Sequence, residues 1–281
     1  MQSLGVLLAL ASALVWGGGD FMGGLAARRT NHLNVLALST LSGVLLLLAS
    51  ALVWREGVQS LRDLVWAVPA GLSGAVGIAN LYRGLSLGNA STVAPIAAVI
   101  GAALPVAVGA FTESRPSMTQ ALGFALAICG IWFVTSSTQA DSGSSTTSSE
   151  GLRLAILAGA GFGGFFVFMA RTPEGTVFLP LTVARVIGLL AAVLLIKVRQ
   201  MPLPSLTSSP LAIAAGVFDA SGGVFFVLAR EWTRFDVAAV LSSLYPVSTV
   251  LLARLFQNEH VSRRQWLGVG LCLGAVGLMT L

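Results

Sequence analysis

The sequence predicts an all-α integral membrane protein of ten transmembrane helices, arranged as two inverted five-helix repeats. Three observations predict it. Of 281 residues, 56% are hydrophobic and only 10% charged, and the mean hydropathy is +0.87. A soluble domain of this length needs far more charge to cover its surface, whereas lipid removes that need. Apolar runs also recur at the length that crosses a hydrocarbon core of ~30 Å at about 1.5 Å per residue, and the short loops between them hold nearly all the charges. Finally, the chain matches itself at an offset of 146 residues, which carries Trp16-Gly17-Gly18 onto Phe162-Gly163-Gly164.

The spans are expected at 3–26, 33–54, 63–82, 89–111, 118–137, 151–170, 177–197, 210–230, 236–256 and 264–281. Lipid offers no partner to backbone N–H and C=O groups, so each span is read as a helix. The first lacks the basic opening of a secretory signal. Its apolar run, Leu4 to Trp16, continues through Gly17 to Ala27, so it reads as a spanning helix. Trp54, Trp66, Trp232 and Trp266 lie near span ends as interface anchors. Asn80, Tyr82 and Arg83 end the third span, as the mouth of a cavity or an ordinary polar cap. Pro95 and Pro105 in the fourth and Pro246 in the ninth are candidate hinges, since proline removes a helical hydrogen bond. Cys129 and Cys272 read as buried free thiols, with neither a disulfide nor a metal site implied. The Ser/Thr-rich stretch Ser136 to Glu150 reads as a linker, which sets the units at 1–137, 138–150 and 151–281.

The second copy then repeats the first. Asn89–Glu113 falls on Phe235–Glu259 at the same offset, and with one gap Gln120 before Ala-Leu-Gly falls on Gln265 before Trp-Leu-Gly. An odd number of helices per copy makes the second enter the membrane from the opposite side. That architecture can expose a central site to either face.

The net charge of +5 is spread through many loops and is no nucleic-acid footprint. Glycine pairs such as Gly19/Gly23, Gly159/Gly163 and Gly270/Gly274 read as helix-packing contacts, because no strand precedes them to form a phosphate loop. No Walker motif is present, so no nucleotide and no other cofactor is expected.

Ionisable residues within spans cost about 2.5–3.5 kcal/mol on insertion scales and so mark function or a partner. Arg185 and Asp219 lie well inside spans, and Asp20 toward the far end of the first. Arg185 reads either as a receptor for a substrate carboxylate or as a structural pair with Asp219 or Asp20. Asp219 reads as a protonatable coupling site or as a merely buried carboxyl. The aromatic residues Trp16, Phe162, Phe165, Phe166, Phe218, Phe225 and Tyr245 are candidate cavity walls or gap-fillers. Trp16 and Tyr245 stand out because Gly17 and Pro246 beside them let the backbone open or bend. His32 and His260 are lone loop residues.

Over essentially its whole length the chain resembles the EamA-type branch of the drug/metabolite transporter superfamily. The resemblance is carried by Leu14-Val15-Trp16-Gly17-Gly18-Gly19-Asp20-Phe21, by Arg185 in Val183-Ala184-Arg185-Val186, and by Ser242-Ser243-Leu244-Tyr245-Pro246 leading to Asn258-Glu259. The first copy departs from that pattern at Ser39, which stands where the second has Arg185, and by having Pro95 and Pro105 in place of a single proline. The resemblance implies a non-enzymatic secondary transporter that exports amino acids or related metabolites by alternating access, with multidrug or aromatic-cation export as the alternative. It implies a multi-pass protein of the bacterial inner membrane, with a small-molecule substrate, membrane lipid and protons as partners and no nucleic acid. The candidate substrate residues are Trp16, Asp20, Asn80, Tyr82, Phe162, Arg185, Asp219, Phe225, Ser242 and Tyr245. The resemblance also implies cytoplasmic termini, whereas the loops on the side of the chain opposite to the termini carry nine Lys/Arg against six and place the termini outside.

One further alternative is an intramembrane aspartyl protease. Gly17-Gly18-Gly19-Asp20 fits Gly-x-Gly-Asp, and Asp219 would supply the second carboxylate. Against it, the companion motif does not precede, a Pro-Ala-Leu element is missing, and the repeat has no use in such an enzyme. A pore would show a concentration of polar or charged residues for its ring, and none stands out.

Overall fold

The structure is a computed structural model in which residues 2–57, 64–86, 90–112, 115–136, 149–205, 208–257 and 261–280 are described. They form helices α1 (Gln2–Ala27), α2 (His32–Val53), α3 (Ala67–Ser86), α4 (Ala90–Thr112), α5 (Met118–Ser136), α6 (Ser149–Met169), α7 (Phe178–Val198), α8 (Pro210–Arg230), α9 (Phe235–Ser242), α10 (Tyr245–Gln257) and α11 (Arg263–Thr280), with no strand among the described residues. Asn89, Glu113, Asn258, Glu259, His260 and linker residues 138–148 lie outside the described residues.

Among the described residues, seven segments are long and apolar enough to cross a membrane: α1, α2, α5, α6, α7, α8, and α9 with α10 taken together. Helices α3, α4 and α11 accompany them; α4 is apolar, whereas polar groups such as Asn80 and Arg83 in α3, or Arg263, Arg264 and Gln265 in α11, lower the hydropathy of the other two. Large apolar side chains crowd the outside of the bundle, among them Leu52, Val53, Phe111, Leu194, Phe256 and Leu273. The four tryptophans at the span ends, Trp54, Trp66, Trp232 and Trp266, are exposed as well.

Three expectations shift. The third span was expected to stop at 82, but α3 runs on to Ser86, because Arg83 in the last turn complements the negative end of the helix dipole. Helix α6 starts at Ser149, inside the expected linker, with Glu150 favourably placed in its first turn. The ninth span is broken into α9 and α10 at Ser243–Leu244. Pro246 has no N–H to bond the carbonyl one turn back, and a tight turn replaces the helix there, with the Leu244 N–H bonded to Leu241 O at 3.2 Å and Val247 N–H to Leu244 O at 2.9 Å. Helix α4, by contrast, is continuous through Pro95 and Pro105.

The order of packing exposes the internal repeat. Helix α1 packs on α8 as α6 packs on α3, α1 on α10 as α6 on α4, and α2 on α8 as α7 on α3. The pairs α2–α7, α4–α9 and α5–α11 map onto themselves when the halves are exchanged. The repeat extends to caps. Ser117 and Gln120 at the start of α5 exchange hydrogen bonds, Gln120 N–H to Ser117 Oγ and Ser117 N–H to Gln120 Oε1, each 3.1 Å. Ser262 and Gln265 do the same at the start of α11, at 3.3 and 2.8 Å. These are reciprocal capping boxes. Replacing Ser262 by alanine is expected to cost about 1 kcal/mol, read as a lowered unfolding temperature in detergent.

Small residues let the halves approach at the level of the backbone. A Cβ added to Gly216 of α8 would collide with the Ser39 carbonyl of α2, and one added to Gly71 of α3 with the Ala184 carbonyl of α7. The two contacts join helix pairs that the repeat exchanges, in registers one residue apart. Side chains then bond to backbone groups across the helix pairs, as from Ser12 Oγ to Gly222 O at 2.8 Å and from Ser42 Oγ to Ile213 O at 2.9 Å. In lipid such bonds between helices supply part of the association that hydrophobic burial supplies in water.

Candidate functional site

Where α1, α2, α3, α6, α7, α8 and α10 converge, they leave a cavity of about 100 Å³. The room is made by small residues: Gly19 on α1, Gly71, Gly74 and Ala75 on α3, Ala184 and Gly188 on α7, and Ala215 on α8. Both halves contribute to its wall.

One part of that wall is aromatic. Trp16 from α1 meets Phe165 and Phe166 of α6 edge-on, with centroids 6.3 and 5.5 Å apart, and Phe166 meets Phe226 of α8 at 4.7 Å. The indole is held at both its edge and its face. Nε1–H donates to the Asp219 carbonyl at 2.9 Å, and Gly222 leaves space for the ring, since a Cβ there would lie 2.5 Å from it. Phe162, the repeat partner of Trp16, is seated in the same way against Gly77 of α3, where a Cβ would lie 2.7 Å from the ring.

The other part is polar. The Arg185 guanidinium of α7 donates through Nη1 to Asp219 Oδ2 of α8, and both side chains are largely buried. Of the two partners that the sequence left open for Arg185, the fold selects Asp219. This single bond engages one of five guanidinium N–H groups. Asp20 also lines the cavity, and its carboxyl makes no hydrogen bond among the described residues. It lies within electrostatic reach of Asp219 and Tyr245. Tyr82 brings its hydroxyl in from α3 against Gly23 of α1, where a Cβ would lie 2.5 Å away, and Tyr245 enters from the first residue of α10.

Seven of the sequence-predicted residues thus share one cavity: Trp16, Asp20, Tyr82, Phe162, Arg185, Asp219 and Tyr245. Three do not line it. Asn80 turns back on its own helix, Nδ2 donating to Val76 O at 2.8 Å. Ser242 is buried beside α1, its Oγ donating to Ala9 O at 3.4 Å. Phe225 is displaced by its neighbour Phe226, because successive residues on a helix point about 100° apart and only Phe226 faces the aromatic cluster. Among the candidate hinges, Pro246 adjoins the cavity through Tyr245, and Pro105 is buried inside α4.

Ser39, marked in the sequence only as the counterpart of Arg185, lines the cavity, as do Leu36 and Thr40 of α2 and the small residues of α3 and α7, which the sequence does not single out. The signal available was the repeat, in which Ser39 stands where the second half has Arg185. At the offset of 146, the polar residues of the cavity have weakly polar or apolar counterparts: Phe166 for Asp20, Ser73 for Asp219, Leu228 for Tyr82 and Val99 for Tyr245. The scaffold is symmetric and the chemistry is not.

Asp219 is engaged by Arg185 and is therefore not free to share a proton with Asp20, so the geometry lends a paired-carboxylate protease no support. Among the described residues no three His, Cys, Asp or Glu side chains are grouped to hold a metal ion.

The family model for EamA-like transporters matches the chain twice, over residues 3–136 and 149–281. A solved crystal structure of another protein superposes on this one with a TM-score of 0.76, covering 99% of this chain and 98% of the other at 19% identity, a likeness of fold. No curated protein matches the chain.

Proposed function

Because the chain belongs to the EamA-like transporter family, we propose that it exports small amphipathic solutes, amino acids or related metabolites, by alternating access between two inverted five-helix halves. Its helices and family make it a multi-pass membrane protein, and the bacterial inner membrane is the membrane that fits this reading. The ten crossings of that reading are α1 to α8, α9 with α10, and α11. The exchange symmetry of the helix pairs supports two halves that rock about a site between them.

One observation carries the substrate reading: a cavity with an aromatic wall that also holds a carboxylate with no hydrogen bond among the described residues and a guanidinium with spare donors. Asp20 receives the ammonium group of an amino acid, the remaining N–H groups of Arg185 receive its carboxylate, and Trp16, Phe165 and Phe166 enclose the apolar side chain. The same carboxylate beside aromatic rings favours a second reading, an aromatic cation without an acid group. Protons are the proposed coupling ion, with Asp20 as the carboxyl free to exchange one.

The test is counterflow of labelled amino acids in proteoliposomes, with and without a pH gradient. Saturable flux that Trp16→Ala and Asp20→Asn each lower at least about tenfold, an effect of ~1.4 kcal/mol, is the expected result. Absence of flux for every amino acid, together with transport of aromatic cations that survives Arg185→Ala, would move the assignment to the second reading. No flux of either class would overturn both.

A further inference from the structure

At one end of the bundle the two halves are joined by charged side chains that bond backbone groups. Glu56, just past the end of α2, accepts from the backbone N–H groups of Val177 at 2.8 Å, Phe178 at 2.7 Å and Leu179 at 3.4 Å. These are the first N–H groups of α7, which have no partner within the helix, and Val177 at its N-cap supplies no side-chain bond. A carboxylate there also meets the positive end of the α7 dipole. The cap of a second-half helix is thus provided by the first half. Aromatic contacts reinforce the joint: Trp54 lies 5.4 Å from Phe178, and Trp66 stacks on Phe168 at 6.2 Å with the Arg171 guanidinium over it at 5.9 Å. The loop between α6 and α7 is fixed from α8 as well, by Arg230 on the Thr172 carbonyl at 2.9 Å and by Glu231 on the Gly175 N–H at 2.9 Å.

The opposite end is built differently. The repeat counterpart of α7 is α2, whose start is capped by its own Asn31, Oδ1 accepting from Leu33 N–H at 2.9 Å. The counterpart of Glu56 is Pro202, which has no acceptor to offer in its side chain. Among the described residues, an ion pair that crosses the halves there, Arg83 with Glu150, is about half exposed on both sides, so water competes with it.

We infer that Glu56 is a latch between the halves: it holds the Glu56 end of the bundle closed, and the halves separate at that end only when the α7 cap is released. The inference rests on the alternating-access reading. Arg185 lies two turns beyond the capped end on the same helix, so release of the cap frees the element that carries the cavity arginine.

The latch is tested by thiol accessibility, without any substrate, in nanodiscs that expose both faces. In a Cys129→Ala, Cys272→Ala background, Thr176→Cys places a reporter at a buried position of the latched loop, and Thr30→Cys a second one at the opposite end. With Glu56 intact, a membrane-impermeant maleimide should modify the residue-176 reporter slowly. Glu56→Ala should raise that rate about tenfold, as expected when one charge-assisted cap is removed from a two-state equilibrium, with Glu56→Gln in between because it keeps one acceptor. The residue-30 reporter should not speed up. Unchanged labelling at 176 in both variants, or an equal rise at both ends, would overturn the latch, the latter being general loosening. Counterflow measured on the same preparations separates the two claims. Retained flux with unchanged labelling removes the latch alone, and the expected labelling shift with no flux for any solute removes the substrate reading alone.

Discussion

Replacing Arg185 with alanine is expected to abolish amino-acid flux and to destabilise the protein by about 3–5 kcal/mol, the range found when one partner of a buried pair is removed. Asp219 would remain in the cavity wall without its cation, and the surroundings offer little to replace it: Asp20 repels it, and the nearby rings cannot neutralise a carboxylate. Asp219→Asn alone should destabilise less, since it leaves an uncharged partner for the guanidinium. The double variant Arg185→Met with Asp219→Asn should recover most of the unfolding temperature and none of the flux. That strongly non-additive pattern is the signature of two groups acting as a unit. If the single losses simply summed, the pair would not be an energetic unit and Arg185 would be free to act as a carboxylate receptor on its own. Melting curves in detergent and counterflow on the same variants read the two effects separately.

Gly216→Leu and Gly71→Leu are expected to be as damaging, for a different reason. At both glycines the space where a side chain would begin is occupied by backbone of the facing helix, the Ser39 carbonyl and the Ala184 carbonyl respectively. Backbone cannot swing aside as a side-chain tip can, so α2 must part from α8, or α3 from α7. Overpacking costs about 1–3 kcal/mol where side chains can adjust, and these sites should exceed that range, with loss of monodisperse protein on gel filtration. Gly270 is the control. Nothing lies within 4 Å of a Cβ built there, so Gly270→Ala should leave the stability unchanged or raise it by up to the ~0.5–1 kcal/mol of a helical Gly-to-Ala change, read as an unfolding temperature that does not fall.

The glycines show how far sequence reasoning reaches. Three pairs at small-xxx-small spacing look equivalent as text. Gly159 and Gly163 abut Ile100 and Leu104 of α4, and Gly19 and Gly23 abut α8 and Tyr82, but Gly270 faces open space. Spacing places two residues on one face of a helix, yet it does not say which face meets a neighbour. The same limit explains the site. Phe225 and Phe226 are equally aromatic and adjacent, and a rotation of about 100° decides which of them reaches Trp16. Asn80 and Tyr82 are two positions apart on α3 and part in the same way, one bonded back to Val76 and the other facing the cavity. The break between α9 and α10 had a visible cause in Pro246. Pro105 carried the same cause and α4 stays continuous, so proline alone did not predict the outcome.

By itself the sequence determined the solvent, the helices and the repeat. Apolar runs of spanning length leave the backbone no other way to satisfy its hydrogen bonds in lipid, and the offset of 146 places each helix of the first half on its counterpart in the second. It also determined that Arg185, Asp219 and Asp20 need an explanation, because charge in hydrocarbon is costly wherever it falls. Only the tertiary structure decided that Arg185 takes Asp219 and leaves Asp20 without a hydrogen bond among the described residues, that the aromatic rings gather around Trp16, and that Glu56 caps a helix 121 residues away in the chain. Those outcomes depend on the rotation and crossing of whole helices. Rotation and crossing are set by many small contacts between residues distant in the chain, none of which has a local signature.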